Sequence, residues 1–141
     1  MDEDSEALST IVYSVQCYIT NNTSDGLAPH SPPTAHWYSI VTSSPNYAPP
    51  NTAGVEAGAF VAEKATWTGA TAISVYDCPD GKQILVLLIM EPFSGINVSK
   101  ARLPDSKEHT LVLSSTIEQG TVVSARSSLD DVTPGQNSAQ P

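Results

Sequence analysis

The chain has 141 residues, of which 40% are hydrophobic and 15% charged, a balance typical of one soluble globular domain. Six basic residues against fifteen acidic ones give a formal net charge of −9, so the surface repels phosphate backbones and no basic stripe overcomes that repulsion. This charge argues against nucleic acid as a partner. It also disfavours anionic membranes while tolerating zwitterionic or uncharged head groups.

The two ends of the chain are predicted to be tails around one domain at 9–126. Residues 1–8 are acidic and lack the basic and apolar regions of a secretory signal, so we expect a chain that is cytoplasmic or secreted without a visible signal peptide. Residues 127–141 lack large apolar side chains after Val132, which predicts a disordered C-terminal tail. The most apolar run, 84–90, is too short to cross a bilayer as a helix.

The first half of the domain predicts three strands. In "STIVYSVQCYIT" at 9–20, apolar residues alternate with polar ones, the period of a half-buried strand. The turn residues "NNTSDG" at 21–26 end this strand. A loop-rich stretch follows, with one strand predicted from Ala35 to Thr42 and the next from Ala59 to Thr68.

The second half predicts a hairpin and three more strands. "TAISVYDCPDGKQILVLLIM" at 71–90 is typical of two strands joined at Asp80-Gly81, and its second arm is apolar throughout, as in a central strand. "INVSKARL", "HTLVLSST" and "TVVSARS" follow, and no stretch has a helical period. About eight short strands are typical of a β-sandwich or a small barrel, and we predict an all-β, antiparallel β-sandwich.

The sequence offers little for catalysis, and we expect no enzyme, no metal site and no cofactor. The three histidines, His30, His36 and His109, are far apart and belong to no catalytic or metal motif, although one could converge on Asp77 or Glu91. The two cysteines, Cys17 and Cys78, are expected to be buried free thiols, with a disulfide as the alternative. Sequons at Asn21, Asn22 and Asn97 matter only if the chain is secreted.

Aromatic residues are the main candidates for a binding site. Trp and Tyr combine an apolar ring with a polar atom, which suits a sugar face or the head-group layer of a membrane. The alternative is that these rings pack inside the ends of the sandwich. Those that fall near predicted strand ends or in loops are Trp37, Tyr38, Tyr47, Trp67 and Phe93.

The order of several segments resembles the aegerolysins, a group of small β-sandwich lipid-binding proteins, and more distantly the actinoporins. The segments are "ITNNTSDGL", "PPNTAG", "WTGATAISVYD", "DGKQILVLLI" and "EPFSGIN", the last at 91–97. The resemblance implies recognition of sphingolipid-type membranes and a separate partner protein for perforation. In the matching family loop, Glu91 replaces a Cys and Phe93 a Trp, and too few residues precede the first strand for a pore-forming helix.

This resemblance implies a site in which aromatic rings enter the membrane interface and Glu91 contacts a cationic amine of the head group. Such a protein would be peripheral at the membrane surface when bound. The predicted ligand-binding residues are Trp37, Tyr38, Tyr47, Trp67, Glu91, Phe93 and Asn97.

Two other functions remain open at the level of sequence. Thr-, Ser- and Val-rich segments such as "TVVSARS" at 121–127 could lie at sheet edges and pair with another chain. The protein would then be a protein-interaction or self-assembling β-sandwich. A sugar-binding lectin is the third possibility.

Overall fold

The computed structural model describes residues 13–37, 39–62, 70–78, 84–91, 96–102 and 111–131. These residues form nine strands and, within those ranges, no helix. The strands are β1 (Ser14–Asn22), β2 (Ala28–Trp37), β3 (Ser39–Pro45), β4 (Thr52–Ala62), β5 (Ala70–Asp77), β6 (Ile84–Glu91), β7 (Val98–Arg102), β8 (Leu111–Ile117) and β9 (Val122–Asp131).

The strands form two sheets, and the predicted β-sandwich is confirmed. One sheet has five strands in the order β3-β4-β1-β9-β8, and the other has four in the order β2-β5-β6-β7. Neighbouring strands are antiparallel except β1 and β9, which are parallel. The predicted hairpin is β5–β6, paired without a break from Ala70↔Glu91 to Asp77↔Ile84.

The core lies between the two sheets and follows the period-two pattern of the sequence. In β1, Val15, Cys17 and Ile19 are buried while Gln16 is exposed, as the alternation predicts. Phe60 of the neighbouring strand β4 belongs to the same hydrophobic cluster. The facing sheet contributes buried side chains of β5 and β6: Tyr76, Leu85, Leu87 and Ile89.

Prolines and glycines misled the strand prediction in the first half of the chain. The strand expected from Ala35 to Thr42 is wrong, because those residues lie across the boundary between β2 and β3, which belong to different sheets. The prolines of β2 are tolerated because it is an edge strand whose register shifts between Pro29 and Thr34. Strand β4 begins at Thr52, seven residues before the predicted start at Ala59, and it includes Gly54 and Gly58.

The last strand is longer than the sequence predicts. β9 continues to Asp131, past the expected boundary at residue 126, and pairs with both β1 and β8. Leu129 is 1% exposed, so this single apolar residue anchors the polar segment in the sheet. The predicted tail at 1–8 and residues 132–141 lie outside the described residues.

The strands alternate in direction along the chain and therefore define two ends of the sandwich. Odd-numbered strands begin, and even-numbered strands end, at what we call the Ser14 end. Ser39 aligns the two sheets there, because its Oγ donates a hydrogen bond to the carbonyl oxygen of Thr71 at 3.0 Å. At the opposite Asn22 end, Tyr76 Oη donates to the carbonyl oxygen of Asn46 at 2.7 Å.

Candidate functional site

Three of the seven predicted site residues lie at the Ser14 end of the sandwich. Trp37 ends β2 and Glu91 ends β6, and Asn97 immediately precedes β7. Tyr38, Trp67 and Phe93 lie outside the described residues, but the described residues that flank each of them belong to this end of the sheets. The up-and-down strand order thus brings together segments that are distant in the sequence.

Exposed apolar side chains are concentrated at the same end. Among the described residues, five large hydrophobic side chains are exposed, and four of them lie at the Ser14 end. Scattered exposed hydrophobic residues are normal on a soluble protein, whereas a cluster at one end indicates an interaction surface. The four are Trp37 at 51%, Ile40 at 52%, Ile96 at 72% and Val122 at 73% exposure. We call them the apolar end group.

Two members of the apolar end group continue onto the outer face of the five-stranded sheet. Ile40 pairs with Val61, Val61 with Ser14, and Ser14 with Val122, so one row crosses β3, β4, β1 and β9. The row faces outward because the next residues, Val15 and Phe60, are in the core. Beside it lies a shallow groove of about 280 Å³ lined by uncharged residues of the same strands. The groove lining is therefore uncharged, and the carboxylate of exposed Glu118 lies beside it, where its Oε1 accepts a hydrogen bond of 2.7 Å from the Ser124 N–H.

Asn97 holds the Ser14 end together. It is 6% exposed, and its Nδ2 donates hydrogen bonds of 3.0 Å to the carbonyl oxygens of Glu118 and Gly120. Its backbone N–H donates to Oε1 of Gln119 at 2.9 Å, and Nε2 of Gln119 donates back to the Asn97 carbonyl oxygen at 3.2 Å. These bonds tie the segment before β7 to the β8–β9 turn, which gives Asn97 a positioning role.

Tyr47 lies at the Asn22 end, away from Trp37, Glu91 and Asn97. Its ring covers Gly26, where an added Cβ would lie 1.9 Å from the tyrosine Oη, and its side chain is 53% exposed. The length of β2 separates it from Trp37, roughly 20 Å at about 3.3 Å per residue, because the partner strand runs only from Asp77 to Thr71 alongside it. The expectation that both rings share one contact surface is therefore wrong, because the chain order does not show which loops meet.

At the Asn22 end, one of the two described histidines meets a carboxylate. His30 Nδ1 lies 2.5 Å from Asp77 Oδ1, with side-chain exposures of 39% and 47%. This is the convergence on Asp77 that the sequence left open. Within the described ranges no group of three His, Cys, Asp or Glu side chains could hold a metal ion. The pair orients an imidazole, which by itself supplies neither a nucleophile nor a metal site.

The two cysteines are buried and form no disulfide, as the preferred sequence interpretation predicts. Burial raises the pKa of the Cys17 thiol from 9.0 to about 12. Cys17 therefore behaves as a small core residue and not as a reactive thiol. Of the three sequons, Asn21 and Asn97 have buried side chains, and Asn22 is exposed.

Comparison with known proteins supports the fold and assigns no family. No protein-family model and no curated protein matches the sequence. The structure is similar to that of the lipid-binding protein Nakanori, with a TM-score of 0.69 and 9% identity over 90% of this chain and 75% of that one. A weaker similarity, with a TM-score of 0.46 and 10% identity, is to IP-1A from Alcaligenes faecalis, over 89% and 96% of the two chains. At this identity the Nakanori match supports the sandwich fold.

The described part of the chain contains no helix long and apolar enough to span a membrane.

Proposed function

We propose that this protein is a non-enzymatic membrane-lipid-binding module that docks its Ser14 end on the surface of a bilayer. The observation that carries the proposal is the apolar end group, with four large hydrophobic side chains exposed at one end of a rigid sandwich. Tryptophan suits the head-group layer, and isoleucine and valine suit the hydrocarbon boundary beneath it. In this orientation the protein is peripheral at the membrane surface.

We expect this surface to bind membranes reversibly. Full burial of a large apolar side chain stabilises by roughly 1.5–3 kcal/mol, so side chains that begin half to three-quarters exposed contribute roughly 1–2 kcal/mol each. Four of them give roughly 6 kcal/mol before the cost of association is subtracted. The net charge of −9 opposes anionic lipids, so zwitterionic head groups are the expected target.

Two resemblances support lipid as the ligand class. The segment order resembles the aegerolysins, and the fold is similar to that of Nakanori, which is a lipid-binding protein. The narrower expectations, a sphingolipid-type head group and perforation only with a partner protein, come from the sequence resemblance. The sequence resemblance adds Tyr38, Trp67, Glu91 and Phe93 as further candidates for lipid contact.

Co-sedimentation with liposomes tests the proposal. Wild-type protein should bind phosphatidylcholine vesicles with or without sphingomyelin, and a preference for the latter would support the sphingolipid head group. Trp37→Ala and Ile96→Ser should each weaken binding about tenfold, the effect of about 1.4 kcal/mol of lost burial. Tyr47→Ala is the matched control, because it removes an equally exposed aromatic ring from the opposite end. Equal weakening by Tyr47→Ala, or no binding to any of these vesicles, would refute the proposal.

A second candidate function, self-assembly, is favoured by the edge strand β8. Its sequence from Leu111 to Ile117 contains no charge and no proline, whereas β2 has three prolines and β7 has exposed Lys100 and Arg102. Uncharged regular edges are able to pair with another chain. Size-exclusion chromatography with light scattering tests this candidate, and a strict monomer at high concentration would exclude it.

A further inference from the structure

Of the four edge strands in the described part of the chain, three have a feature that hinders pairing with another chain, and β8 has none. The edges are β2 and β7 in one sheet and β3 and β8 in the other. Strand β2 contains three prolines, β7 has two exposed cations, and the register of β3 shifts between Val41 and Ser43. By contrast, all seven residues of β8 pair with β9 without a break. The outer edge of β8 is therefore a regular row of backbone hydrogen-bonding groups.

The side chains of β8 leave this edge open and also hold it in place. Leu113 and Ile117 pack against the core but are only partly buried, although the β9 residues paired with them are 1% and 3% exposed. Ser115 faces the core as well, and its Oγ donates a hydrogen bond of 2.8 Å to Ser99 Oγ on the facing sheet. The edge is thus fixed to both sheets, while two apolar side chains on it keep part of their surface in contact with water.

The absence of charge on β8 suits contact with a second copy of the same chain. A protein with a net charge of −9 repels its own copies, so two of them approach most easily where neither presents a charge. The sequence of β8, LVLSSTI, has no ionisable side chain. The exposed cations of β7, Lys100 and Arg102, belong to the outer face of the other sheet, because Ala101 between them pairs with buried Leu87. They therefore do not point toward a strand that approaches β8.

We propose that two copies of this chain pair antiparallel through β8, around a two-fold axis at Ser114. Such an axis makes the contact the same on both copies and closes the assembly at a dimer. Centring it on Ser114 uses all seven residues of each β8 and sets Leu113 of one copy opposite Ser115 of the other. Every pair in this register is uncharged, and Leu113 and Ser115 both face the core side. The two five-stranded sheets then join into one continuous sheet.

Pairing through β8 turns the two docking surfaces in opposite directions, a consequence that rests on the proposed function. The axis reverses strand direction, and β8 ends at the Ser14 end of each copy. The two apolar end groups therefore lie at opposite ends of the dimer. They are separated by roughly 30 Å, the length of a nine-residue strand such as β1 at about 3.3 Å per residue. One flat bilayer cannot meet both, so a dimer with both ends docked joins two membranes.

Oxidative crosslinking of the full-length protein tests the pairing and its register. Directly opposed residues of antiparallel strands have Cα atoms about 4.5–5.5 Å apart, which a disulfide can span. Ser114→Cys should therefore give a covalent dimer under mild oxidation, while Cys17 and Cys78 are buried and should not react. Ser44→Cys is the matched control, because Ser44 is an exposed serine on β3, the other edge of the same sheet. Equal crosslinking of the two variants, or none of Ser114→Cys, would overturn the proposal.

Ser114→Lys tests the same contact without a covalent link. It brings two ammonium groups together at the axis, whereas in a single copy the side chain is exposed and the fold should be kept. We expect dimerisation, followed by light scattering at rising protein concentration, to weaken at least about tenfold, and Ser44→Lys to leave it unchanged. Dimerisation of the wild-type protein should also strengthen with salt, because salt screens the repulsion between two acidic copies. Equal dimerisation by the two lysine variants would contradict the contact.

Vesicle aggregation separates this proposal from lipid docking. Wild-type protein should raise the turbidity of phosphatidylcholine vesicles by joining them, and Ser114→Lys should co-sediment with the vesicles without aggregating them. A dimer that binds no vesicle would refute lipid docking and support the β8 contact. Vesicle binding by a strict monomer would support lipid docking and refute the β8 contact. Aggregation by Ser114→Lys as strong as that by wild type would refute bridging through β8.

Discussion

Replacing Asn97 by alanine tests how the Ser14 end is held together. The change removes two hydrogen bonds from Nδ2 to the carbonyl oxygens of Glu118 and Gly120, each 3.0 Å long and part-buried. A hydrogen bond contributes a net of about 0.5–1.5 kcal/mol, and the donor side chain of both bonds is buried. We therefore expect the free energy of unfolding to fall by about 2 kcal/mol.

Urea denaturation followed by tryptophan fluorescence measures this loss. The matched control is Asn22→Ala, which removes an exposed amide whose Nδ2 donates to Asp130 Oδ1 at 2.7 Å. An exposed bond of that kind is worth little, so the control should change stability by less than about 0.5 kcal/mol. If Asn97→Ala lowered stability as little as the control, the Asn97 hydrogen bonds would not hold the segment before β7 to the β8–β9 turn.

Two further predictions concern the core. Gly58 has a φ of +113°, and a Cβ there would lie 2.8 Å from Ser74 Oγ, so Gly58→Ala should lower the free energy of unfolding by at least about 2 kcal/mol. Gly54→Ala is the control, because Gly54 has a φ of +64° and nothing within 4 Å of an added Cβ. It should cost about 1 kcal/mol in the same urea assay. Because the pKa of Cys17 rises from 9.0 to about 12 on folding, the unfolded thiol loses its proton first as pH increases. Stability should therefore fall between pH 9 and pH 11 by up to about 1.4 kcal/mol per pH unit, and Cys17→Ala should remove that part of the slope. A slope that the substitution leaves unchanged would contradict the burial of this thiol.

The sequence correctly predicted strands that are specified by local side-chain patterns. The alternation of Val15, Cys17 and Ile19 and the apolar pattern of β5 and β6 both led to correct strands, because side-chain period acts over a few residues. The predicted turn at Asp80-Gly81 lies outside the described residues. Strand β2 was missed because its prolines are typical of a loop. Its position at a sheet edge, which the tertiary fold sets, makes them acceptable.

The candidate site was predicted only in part, for a related reason. Aromatic residues drew attention to Trp37, but Ile40, Ile96 and Val122 were passed over, because aliphatic residues in strand-like segments are normally core residues. Whether an aliphatic residue at the end of a strand is covered depends on neighbouring loops from other parts of the chain. The separation of Tyr47 from Trp37 likewise follows from strand direction, which one sequence does not specify.

The hydrogen bonds of Asn97 also bear on how the proposed surface would bind. Ile96 precedes β7 and Val122 begins β9, and the Asn97 amide joins the two segments that carry them. Backbone segments joined in this way lose little conformational freedom when the side chains they carry enter a membrane, so more of the burial energy is available for binding. Loosening this end should therefore weaken lipid binding even though Asn97 itself is buried. That effect would distinguish a preorganised docking surface from one that forms only on contact.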